Sequence, residues 1–172
     1  GKDAKKLLLC AHMDEIGFMA SSIENNGYIR VAPIGGIDWH AAAYTMVTFE
    51  NGTRGVLVPD DSAKAEDYKA EKFVIDIGAS KRKDAERKVK VGDCAVVKPE
   101  ITRLMGRKIA GRPLDDKLGC AILVDVARKL GTIESDVYFV FSVQEEVGCR
   151  GAGPAAFGIA PDYALVFDVT GT

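Results

Sequence analysis

The hydrophobic pattern changes character twice along the chain. Near the start, Leu7-Leu8-Leu9-Cys10-Ala11 is an unbroken apolar run, which predicts a strand covered on both faces. After residue 106 the pattern alternates. Between Asp115 and Leu130, apolar residues recur four apart at Leu118, Ile122, Val126 and Leu130. That segment opens on carboxylates, carries Arg128 and Lys129 in its last turn and stops at Gly131, which predicts a helix whose ends suit its dipole. Asp136 to Val143 (DVYFVFSV) predicts a central strand from its β-branched and aromatic content. A short helix over Gly151 to Phe157 and a buried strand over Tyr163 to Phe167 follow. Strands alternating with helices imply parallel crossovers, so the two ends predict an α/β fold class with a layered, mostly parallel sheet.

Residues 19–105 lack that rhythm. Short runs such as Met46–Glu50, Gly55–Val58, Phe73–Ile77 and Cys94–Val97 are separated by turn signals at Asn26-Gly27, Gly35-Gly36 and Asn51-Gly52. They predict a β-rich, barrel-like domain inserted between residues 1–18 and 106–172 of the α/β domain. Ser80 to Lys88 mixes charges of both signs and reads as a solvated face containing one helix of the insert.

Composition narrows the function classes. Twenty-five acidic against 23 basic residues in a chain of 172 leave a net charge of −2, which argues against a nucleic-acid partner. No apolar run approaches the roughly 18 residues of a membrane span, and five apolar residues after Lys6 are too few for a signal peptide. A soluble, cytoplasmic protein is expected. Cys10, Cys94, Cys120 and Cys149 form no CxxC pair, and each is expected to be a small buried hydrophobe.

The chemistry is expected where the core strands end, because ligands of open α/β sheets bind beyond the strands' carboxyl ends. His12, Met13, Asp14 and Glu15 follow the first strand, Glu145 and Glu146 the second and Asp168 the third, while Asp115 and Asp116 open the helix. Each motif also has a plain structural reading: a core histidine beside a turn aspartate, helix caps, a solvated glutamate pair, a turn aspartate. Their convergence on one rim favours divalent cations. Asp14, two residues beyond His12, is placed to orient the imidazole from its far nitrogen. Adjacent glutamates after a buried strand repel unless a cation compensates, and their side chains are expected to diverge and take different roles. Paired carboxylates also leave glycoside hydrolysis open. No GxSxG, GxGxxG, P-loop or HExxH motif is present.

Four ordered motifs, AHMDEIGF (Ala11–Phe18), LDDKLG (Leu114–Gly119), VQEEVGCRGA (Val143–Ala152) and FDVT (Phe167–Thr170), resemble the signatures of the tetrahedral, glutamyl-type metallo-aminopeptidase family. Ile34-Gly35-Gly36 and Phe73–Ala79 are similar to its inserted domain. The resemblance implies a zinc-peptidase-like catalytic domain that removes N-terminal residues from peptides through a water activated by two divalent metals, zinc or cobalt. On that resemblance Asp115 bridges the metals, His12 and Asp168 complete one shell and Glu146 binds the other metal. Glu145 is then the general base and Asp14 orients His12. It also implies homo-oligomers assembled through the insert. The family pattern needs a further histidine beyond Asp168; the sequence ends at Thr172, and His40, beside Trp39, does not match that motif. The chain therefore reads as a fragment, weakly active or inactive. The alternatives are a non-catalytic self-association module and an endoglucanase-type glycosidase, a label some relatives carry.

Overall fold

The structure is a computed structural model and describes residues 4–170. In chain order its elements are β1 (Lys6–His12), β2 (Gly17–Ile23), β3 (Ile29–Ile34), α1 (Trp39–Ala42), β4 (Met46–Phe49), β5 (Arg54–Pro59), β6 (Phe73–Asp76) and α2 (Arg82–Glu86). They continue with β7 (Cys94–Val97), β8 (Glu100–Arg103), β9 (Ile109–Arg112), α3 (Lys117–Lys129), β10 (Asp136–Ser142), α4 (Ala152–Ile159) and β11 (Tyr163–Val166). The chain divides into two units, Ile16–Thr102 and the flanking segments up to Glu15 and from Arg103. Both divisions fall three residues before those read from the sequence: β2, from Gly17, is already a barrel strand, and the barrel's last strand is β7, so the second division falls within β8, which is not part of the barrel.

In the flanking unit, β1 is the middle strand of a parallel sheet ordered β10-β1-β11. Leu8, Leu9, Cys10, Ala11 and His12 are all buried, as a strand with neighbours on both sides requires. β10 pairs with β1 from Lys6↔Asp136 to His12↔Ser142, and β11 from Leu7↔Tyr163 to Cys10↔Val166. The expectations for the other two strands need correction. DVYFVFSV is an edge strand of the described sheet, and all four residues of β11 are exposed, since nothing among the described residues covers that strand.

α3 begins two residues later than its carboxylates suggested, because Asp116 is its N-cap and accepts a hydrogen bond from Gly119 N. Its buried stripe is Gly119 and Leu123, with Cys120 and Val126 packed beside it against Leu9 and Ala11. Leu118, Ile122 and Leu130 stay about two-fifths exposed (44%, 40% and 41%). A four-residue spacing identifies residues that share a stripe; the sheet took the neighbouring one.

The inserted unit is a closed antiparallel barrel ordered β2-β3-β6-β5-β4-β7. Closure removes the free edges that strands of four to seven residues would otherwise present. Phe18, Phe49, Phe73, Ile29, Leu57 and Ile75 fill it. The β2–β3 turn needs Gly27, whose φ is 93° and where a Cβ would lie 2.5 Å from Ala79 O. Arg30 ties the loop after β5 to the barrel. Its Nε donates to Glu24 Oε1 at 2.6 Å, and its Nη1 donates to Asp60 Oδ2 and Glu71 O, each at 3.0 Å. No described helix is long and apolar enough to cross a membrane.

Candidate metal centre

The carboxyl ends of β1 and β10, the start of α3 and the segment after β11 all belong to the flanking unit and meet at His12. Burial of β1 to its last residue leaves the imidazole only 3% exposed. Nε2 of the ring faces three carboxylates from three distant stretches of chain. Asp115 Oδ1 lies at 2.9 Å, and Glu145 Oε2 and Asp168 Oδ1 each at 3.9 Å. On the opposite edge Nδ1 faces Asp14 Oδ1 at 3.5 Å, a charge contact longer than a hydrogen bond. Asp14 also reaches the β10 side of the rim, where its two oxygens accept from the backbone N–H groups of Glu145 (3.1 Å) and Glu146 (3.2 Å). One carboxylate thus lies beside the imidazole and holds the turn that carries the glutamate pair.

That turn corrects the reading of Glu145-Glu146. The residues are not in extended chain; Gln144 has φ 59°, Gly148 N and Cys149 N both return to Glu145 O, and both glutamates face the cluster. Ligand atoms of His12, Asp115 and Glu146 lie within 4.8 Å of one another, and so do those of His12, Asp116 and Asp168. Every site residue read from the sequence is therefore at this rim, and Asp116 joins it. Asp116 is fully buried; Oδ1 accepts from Gly119 N at 3.0 Å, while Oδ2 has no hydrogen-bond partner. The adjacent-acid pattern was its signal, since a single cap explains only one of two carboxylates. Cys149 was missed: it is exposed and its thiol donates to Glu145 Oε1 at 3.1 Å. Cys10 is buried, whereas Cys94 and Cys120 are half-buried, so the expectation of four buried thiols holds fully for Cys10 alone.

The electrostatics call for positive charge. Asp14, Asp115, Asp116, Glu145, Glu146 and Asp168 surround one imidazole; Lys117, whose ammonium donates to Met13 O and lies 3.8 Å from Glu15, sits at the margin. Burial pushes the Asp116 carboxyl up, assisted by the charge of Asp168 and opposed by the Gly119 N–H. Burial also raises Glu146, together with the charge of Asp115. Burial alone would lower His12, but the hydrogen bond with Asp115 and the charges of Asp115, Glu145 and Asp14 outweigh it and raise it. Without cations the cluster relieves its repulsion by holding protons. A buried carboxylate oxygen without a hydrogen bond and an imidazole among oxygen donors fit divalent cations.

A parallel sheet whose strand ends hold one imidazole among carboxylates defines a candidate centre for divalent cations. All 172 residues match the family described as M42 glutamyl aminopeptidase, and the chain belongs to that family. It is 40% identical over 171 residues to a putative aminopeptidase of Acetivibrio thermocellus, covering 98% of this chain and 51% of that protein. The structure of aminopeptidase APDkam598 from the archaeon Desulfurococcus kamchatkensis superposes with a TM-score of 0.91 at 38% identity, over 99% of this chain and 49% of that one. The Pyrococcus horikoshii TET1 peptidase, described as able to assemble into a tetrahedron or a large octahedral shell, gives 0.83 at 35% identity, over 98% and 54%. The chain spans about half the length of the relatives it matches.

Proposed function

We propose that the chain supplies the metal-binding rim of an aminopeptidase that releases N-terminal residues from peptides. The observation that carries the reading is the approach of Asp115, Glu145 and Asp168 to one edge of His12 while Asp14 backs the other. His12 and Asp168 would hold one ion, Glu146 the second, and Asp115 would be shared between them. Asp116 contributes by capping α3 immediately beside Asp115. Bound there, two divalent ions, zinc or cobalt, supply Lewis acidity toward the scissile carbonyl and the attacking water. Glu145, hydrogen-bonded from its backbone N–H to Asp14, takes the proton of that water and returns it to the leaving amine. Asp14 keeps His12 in the tautomer that leaves Nε2 free for a ligand bond. The chain self-associates, a reading supported by the likeness to the assembling TET1 peptidase, and the barrel unit is the part assigned to that role.

Calorimetric titration with zinc or cobalt and hydrolysis of leucine and glutamate p-nitroanilides test the proposal. Saturable metal binding that His12→Ala abolishes is expected, with hydrolysis by the 172-residue chain weak and removed by Glu145→Gln. Metal binding indifferent to His12→Ala refutes it. Cleavage of a chromogenic cellulose substrate in excess chelator replaces it with a glycosidase reading.

A further inference from the structure

We infer that Cys149 is a positioning residue whose thiol fixes the orientation of the Glu145 carboxylate. The inference rests on the proposal that Glu145 is the base, and adds a residue which that proposal does not use. Glu145 divides its two oxygens. Oε2 points into the cluster, 3.9 Å from His12 Nε2, and Oε1 accepts from Cys149 Sγ at 3.1 Å. A carboxylate anchored at one oxygen presents the other in one direction, which is what a base must do before it meets its proton.

The backbone is arranged to bring this thiol back over Glu145. Cys149 N donates to Glu145 O at 2.8 Å, Gly148 N to the same oxygen at 2.9 Å, and Arg150 N to Gln144 O at 3.0 Å. Gln144 and Cys149 both adopt positive φ, 59° and 54°, a conformation that costs a side chain about 1 kcal/mol where glycine would pay nothing. Cys149 is exposed, so it is not a packing residue. The hydrogen bond to Glu145 and the neighbouring charges also raise the thiol, which keeps it a donor at neutral pH.

Two measurements decide the matter. In the metal-loaded protein, Cys149→Ala and Cys149→Gly should each lower kcat about three- to tenfold with KM and metal content unchanged, and Cys149→Ser should recover to within about twofold. The glycine variant relieves the positive φ, so a loss shared with alanine cannot come from strain. Wild-type kcat in both variants, or a serine variant as slow as alanine, overturns the inference. The second measurement is independent of turnover. Iodoacetamide alkylates the thiolate, sulfur displacing iodide as the S–C bond forms, and peptide mapping follows Cys149 alone. Glu145→Gln should speed that alkylation several-fold, and an unchanged rate means that the two groups do not meet. Full activity in Glu145→Gln would instead remove Glu145 as the base, a different outcome from an inert Cys149.

Discussion

Replacing Gly119 by alanine tests the architecture of the rim through the sign of a stability change. Alanine in a helix interior is favoured over glycine by about 1 kcal/mol. Gly119 lies in the first turn of α3 with ordinary helical backbone, so an unconstrained site would be stabilised. Here the added Cβ would sit 2.5 Å from Asp116 Oδ1 and closer still to Oδ2. The carboxylate is fully buried and its Oδ1 is held by Gly119 N, so it moves only by giving up the cap. Losing an N-cap costs about 1 kcal/mol and overpacking a buried site about 1–3 kcal/mol. The net expectation is a loss of about 1–3 kcal/mol, read as a lower urea midpoint of the flanking unit's transition at constant slope. In an Asp116→Ala background the obstruction is gone and the same substitution should stabilise, a coupling above about 1 kcal/mol. Stabilisation by Gly119→Ala in the unmodified chain refutes the placement of Asp116.

Two further outcomes follow from other parts of the molecule. Leu123→Ala should cost about 2–5 kcal/mol, because Leu123 is fully buried against Leu9 and Ala11, whereas Leu118→Ala, at 44% exposure, should stay within about 0.5 kcal/mol; equal losses by chemical denaturation would put the wrong helix stripe on the sheet. Asp60, hydrogen-bonded first by Ser62 and then by Arg30, is held down to about 2. A carboxyl lowered on folding contributes stability that is full above its unfolded value near 4 and vanishes as pH falls through about 2, here at most about 2 kcal/mol. Arg30→Met should flatten that part of the acid profile, and an unaltered profile would remove the strap.

The parts of the fold legible in the sequence were those where neighbours in the chain decide the outcome. Leu7 to Ala11 reads as a strand buried on both faces, as Leu8 to Ala11 are, and Gly131 with Arg128 and Lys129 marked the end of α3 to within two residues. What escaped depends on partners far away in sequence. Which of Asp115 and Asp116 caps the helix is set by where His12 and Gly119 stand, and the composition of LDD is the same either way. The exposure of β11 is set by what packs over that strand, not by YALV itself. Similarly, β2, with Met19, Ser21 and Ser22 exposed between buried residues, is broken by a bulge between Ala20 and Ser22 that blurs its alternation. Cys149 was misread because a thiol among glycines looks inert until a turn folds it onto Glu145.

The two units hold very different shares of the apolar core, and this gives metal binding a thermodynamic signature of its own. The barrel encloses a continuous cluster with Phe18, Phe49 and Phe73 at its centre, whereas the fully buried cluster of the flanking unit consists of Leu9, Ala11 and Leu123. The flanking unit also carries the mutually repelling carboxylates, so it is the less stable of the two and gains most when cations remove that repulsion. A ligand that binds only the folded form stabilises it by RT ln(1 + [L]/Kd), about 2.7 kcal/mol at a hundredfold excess over Kd. Calorimetric scans should therefore resolve two transitions, with zinc moving the lower one upward by several degrees and leaving the barrel's transition in place. His12→Ala should abolish the zinc response while sparing the upper transition. An equal zinc-induced rise in both transitions, or a response that survives His12→Ala, would mean that the ions bind somewhere other than the ends of β1 and β10.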